Sequence, residues 1–143
     1  MANDTITLAL SGNVPFDSFA DGVGLLRSLI QALSEEVGTR STISWYVHDL
    51  QVSSAVATIR GEAEDIAQVE RVVRAYGEIG KALQEHHSIP YPPRVTEPAR
   101  RISQLVSDRI PYVRFETSEI DAIIYEATRP FTPVVARPQL PRP

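Results

Sequence analysis

From Ile43 to Glu62 the chain reads ISWYVHDLQVSSAVATIRGE, with side chains of one kind recurring at every second position. Ile43, Trp45 and Val47 share one face of an extended arm, against Ser44, Tyr46 and His48. In the second arm Ala55, Ala57 and Ile59 oppose Val56, Thr58 and Arg60. A two-residue period in a run rich in β-branched and aromatic residues is the signature of half-buried strands, so the stretch predicts a hairpin turning between Asp49 and Ser54. A two-stranded hairpin is marginal alone in water. Long amphipathic segments on either side offer the missing cover, and the hairpin is expected to organise the fold around itself.

Upstream, Ile6, Leu8 and Leu10 alternate in a first strand over Thr5 to Leu10. After Ser11, Gly12 and Asn13 a helix is predicted, capped by Asp17 or Ser18, with Phe19, Val23, Leu26, Ile30, Leu33 and Val37 on one side and Gly38 as its stop. Gly22 and Gly24 weaken this helix, and close packing on the sheet is the expected reason. Downstream, Asp65 caps a second long helix with Ile66, Val69, Val73, Tyr76, Gly80 and Leu83 as its buried stripe. His86 to Pro98 holds four of the chain's 11 prolines and reads as irregular. Thr96 with Pro98 opens a short helix bearing Ile102, Leu105 and Val106, and Tyr112 to Thr117 forms another strand. For Ser118 to Glu126 the SEID motif resembles a helix capping box, whereas AIIYEA alternates like a strand, and the balance tips to helix.

The sum is an α+β domain over residues 1–128: a four-stranded antiparallel sheet of ferredoxin-like βαββαβ order, two long helices on one face, and one added short helix. Residues 129–143 hold five prolines and form an extended tail or linker.

Composition excludes several classes. The 143 residues are enough for one domain with a sizeable core. A net charge of −4 lacks the basic footprint of a chain that lives on nucleic acid or anionic lipid. RNA-recognition domains share the topology but stack bases on strand aromatics, and ITLAL and AVATIRG carry none. Zero cysteines remove disulfides and thiolate chemistry. With no apolar run of membrane-spanning length and no basic leader before a long apolar core, the expected location is the cytoplasm.

No residue qualifies as catalytic. Ser44, Ser53 and Ser54 near His48 lack the nucleophile-elbow pattern, and the three histidines lack the helical spacing of a metal site, so neither metal nor cofactor is expected. The expected use is therefore assembly with itself or another protein. The candidate contacts are Tyr46, His48, Val56, Thr58 and Arg60 on the uncovered sheet face, and the PxxP spacings Pro130 to Pro133 and Pro138 to Pro141 in the tail. The alternative is a regulatory domain holding a small ligand on the loop Ser11, Gly12, Asn13, as amino-acid-sensing modules of this topology do.

Overall fold

The computed structural model describes residues 3–37, 42–51 and 54–125. Among these residues are five strands, β1 (Thr5–Leu10), β2 (Ser44–Gln51), β3 (Val56–Glu62), β4 (Tyr112–Glu116) and β5 (Asp121–Tyr125), and three helices, α1 (Phe16–Glu36), α2 (Ile66–Glu85) and α3 (Pro93–Ser103), in the order β1-α1-β2-β3-α2-α3-β4-β5. The strands form one antiparallel sheet in the order β2-β3-β1-β4-β5.

Two expectations change at once. The sheet has five strands rather than four, because the stretch after Ser118 is strand and not helix, and the added strand departs from the four-stranded order. Thr117 decides this locally. Its amide donates to the Ile120 carbonyl at 2.7 Å and its hydroxyl accepts from the Ile120 amide at 3.0 Å, closing a tight turn that returns the chain alongside β4. The hairpin is also not the centre of the fold. β1 is the middle strand, and β2 lies at one edge.

The alternation in β1 works as read: Ile6, Leu8 and Leu10 are each at most 1% exposed. They meet Phe115 and Val113 of β4 and Ala57 and Ile59 of β3 in a continuous inner face that ends on Ala122 and Ile124 of β5. α2 lies on this face. Tyr76 stacks on Phe115 with ring centroids 5.0 Å apart, and its hydroxyl donates to the Thr7 carbonyl at 2.8 Å. The expected cap is present, with Asp65 Oδ1 accepting from the Ala67 amide at 3.0 Å. Of the expected stripe only Ile66 is displaced, at 42% exposure.

α1 is rotated slightly from its expected stripe: Gly22, Leu29 and Ala32 join Phe19, Leu26, Ile30 and Leu33 inside, while Val23 turns outward. Its cap is Pro15, with no side-chain hydrogen bond, rather than Asp17 or Ser18. Gly22 rests against Leu8, Leu10 and Leu105, as close packing predicts, but Gly24 faces open space and nothing in the structure explains it. The expected stop at Gly38 lies outside the described residues.

α3 starts at Pro93, earlier than Thr96, since a proline at the first helical position gives up no internal hydrogen bond. Pro98 sits inside the helix, which packs on α1 through a face that buries Val95, Ala99 and Ile102. No described helix is long and apolar enough to cross a membrane.

Candidate interaction surface

The helices cover one side of the sheet, so the other side presents the alternate residues of every strand. Register places them in rows: Tyr46, Arg60 and Thr5; then Asp49, Thr58, Thr7, Glu116 and Asp121; then Gln51, Val56, Ala9, Arg114 and Ile123; then Tyr112 and Tyr125. Four of the expected contact residues, Tyr46, Val56, Thr58 and Arg60, therefore share this face.

The face is less apolar than expected, and much of it is paired within the sheet. Thr7 and Thr58 join hydroxyls at 2.8 Å, Arg60 reaches Glu62 at 2.6 Å, and the Tyr112 and Tyr125 rings lie 5.6 Å apart. Arg114 Nε lies 2.9 Å from Asp121 Oδ1, but its N–H is not aimed at that oxygen and makes no hydrogen bond, so the attraction is Coulombic.

The expected surface continues onto β2, where the apolar exposure is concentrated. Val47 is 71% exposed, Tyr46 52% and Leu50 50%. Val47 and Leu50 pair with Ile59 and Ala57 and so belong to the helix-covered side, yet both stay open to water. On that side Trp45 folds back against β3. A Cβ at Gly61 would stand 2.8 Å from Val69 Cγ1 and 2.9 Å from Trp45 Cζ3, so glycine makes room for the indole. His48 takes no ladder partner: the register shifts between Val47 and Asp49, and the bulge leaves His48 exposed at the outer rim. The exposed apolar shelf on the helix side was missed because Ile43, Trp45 and Val47 read as inward-facing, and alternation cannot say how far a helix layer extends.

The ligand candidate lies at the C-terminal end of β1. Gly12 has φ +101, and a Cβ there would stand 2.3 Å from the Arg109 carbonyl oxygen. The Ser11 amide donates to the Tyr112 carbonyl and the Asn13 amide to the Arg109 carbonyl, each at 3.0 Å. Two of the loop's three amides thus serve the backbone, pinning it to the approach to β4.

His86 caps α2 in the left-handed region at φ 59, and His87 Nδ1 stands 3.6 Å from Glu85 Oε1. Among the described residues no group of three or more histidine, aspartate or glutamate side chains is placed to hold a metal ion. Burial raises the Tyr76 phenol well above its ordinary value, with Glu116 adding to the shift, while partial burial and then Glu78 and Glu36 raise Tyr91. Tyr76 is sealed in the core, so its shift marks packing rather than an acid or base open to substrate. Pro130, Pro133, Pro138 and Pro141 lie outside the described residues. No protein-family model matches the chain, and no curated protein or solved structure is significantly similar to it.

Proposed function

We propose that the chain is a non-catalytic assembly module of the cytoplasm that binds itself or another protein through its open sheet face or through the proline-rich segment 129–143. The observation that carries this reading is β2: an eight-residue edge strand exposed along most of its length, with Tyr46, Val47 and Leu50 open to water. Long apolar edges are liabilities that proteins blunt unless they use them. Four of the strands, in the neighbour order β2-β3-β1-β4, make a ferredoxin-like core to which β5 and α3 are additions.

The test is light scattering coupled to size exclusion, on the whole chain and on a version ending at Thr128, over a wide concentration range. An oligomer in both that Tyr46→Glu or Val56→Glu weakens supports assembly through the sheet. Loss of the oligomer only on truncation assigns it to the proline-rich segment, and a monomer throughout counts against self-association.

The ligand-binding alternative on Ser11, Gly12 and Asn13 has less support, because two of its amides are already engaged. A thermal-shift screen with small acids examines it. Gly12→Val is a poor control there, since the new side chain would strike the Arg109 carbonyl with or without a ligand.

A further inference from the structure

We infer that the outer edge of β2 pairs antiparallel with β2 of a second copy of this chain, about a two-fold axis passing between His48 and Asp49, which joins two five-stranded sheets into one of ten. This rests on the assembly reading above and names its partner and register.

Three observations support it. First, no described strand pairs with the outer edge of β2, and the strand is exposed on both faces. Second, residues 46–51 are complementary to their own reverse. In the order Tyr-Val-His-Asp-Leu-Gln, antiparallel pairing about the centre sets Val47 against Leu50 of the second copy, His48 against Asp49 and Tyr46 against Gln51. Each contact occurs twice by symmetry, as an isologous interface requires. An imidazole faces a carboxylate, and apolar faces apolar: Val47 and Leu50 both lie on the helix side, so the two uncovered shelves merge and shield one another.

Third, the opposite edge is partly taken up by the chain itself. The amide of Ile123 in β5 donates to Gln84 Oε1 at 2.8 Å, and α2 packs along that strand. The two-fold pairing uses the β2 edge of both copies, and with the β5 edge partly taken up the assembly stops at a dimer and does not run on into a fibre.

The test exchanges charges in the whole chain. His48→Asp sets two like-charged pairs across the axis, and Asp49→Lys sets a cation against His48. Each variant should weaken the dimer measured by sedimentation equilibrium by about tenfold, with an unchanged thermal melt at concentrations where the chain is monomeric, because both positions are exposed. Mixed together, the two variants set the introduced carboxylate of one chain against the introduced ammonium of the other, and the second pair across the axis keeps His48 facing Asp49. A heterodimer from two chains that each stay monomeric is the expected result. A wild-type dimer that neither substitution disturbs overturns this register while leaving assembly through another part of the sheet intact. A wild-type chain that stays monomeric up to millimolar concentration overturns both this pairing and self-association itself.

Discussion

Strands β5 and β2 end the same sheet in opposite ways. β5 is five residues long, buries Ala122 and Ile124, has its Ile123 amide held by Gln84, and faces Arg114 with Asp121. β2 is eight residues long, touches little besides β3, and exposes apolar side chains on both faces. The difference follows from where the helices lie. α2 runs from Val69 beside Gly61 to Gly80 beside Phe115 and Ala122, so it crosses the sheet toward β5 and leaves β2 behind. One edge is sealed by the chain's own helix, and the other offers surface to something else.

Substitutions on the two sides should therefore have unequal effects. The largest is expected at Gly80, where a Cβ would stand 2.6 Å from Phe115 Cβ and 3.1 Å from Ala122 Cβ. Gly80→Val should lever α2 off β4 and β5 and cost about 3 kcal/mol in urea unfolding. A loss below about 0.5 kcal/mol would mean that the β5 edge is not sealed by close packing.

Gln84→Ala removes the acceptor of the half-buried Ile123 amide. It should cost about 1.5 kcal/mol and speed hydrogen exchange at Ile123, while amides in the β2–β3 hairpin keep their rates. Equal acceleration in both places would erase the distinction between the edges.

Tyr76→Phe deletes the hydroxyl that ties α2 to the central strand and should cost about 1 kcal/mol at neutral pH. Its pH dependence is specific. The phenol is raised by burial above its unfolded value, so its contribution is fully present below about pH 10 and is lost as pH rises toward the higher folded value. Unfolding midpoints measured at about pH 8 and about pH 10.5 should converge in Tyr76→Phe relative to wild type. The smallest effect is expected beside β2. The Arg60–Glu62 pair has side chains 40% and 48% exposed, and Arg60→Ala should change stability by about 0.3 kcal/mol or less.

Much of this frame was legible in the residues. ITLAL alternates, Asp65 caps α2, and Val69, Val73, Tyr76, Gly80 and Leu83 fall on one stripe, because local pattern and tertiary burial agree at those places. β5 was misread because SEID carries a helix-capping pattern, while the deciding contacts are the Thr117 turn and pairing with β4. The rank of the strands was misread for a related reason. The hairpin has the richest β-branched and aromatic content, but centrality depends on which strands recruit two neighbours, and β1 pairs with segments far along the chain. Tyr46, Val56, Thr58 and Arg60 were placed on one face correctly by alternation alone, whereas the bulge at His48 and the bare Val47 and Leu50 depend on how far a helix reaches.

The central position of β1 also bears on synthesis. Its neighbour β3 leaves the ribosome long before β4, and at roughly 5–20 residues per second the interval lasts several seconds. Through that interval one side of this buried strand has no partner, and Leu8 and Leu10 await Phe115 and Val113. A nascent chain stalled after α2 should be a substrate for chaperones, and β4 is the segment whose arrival releases it.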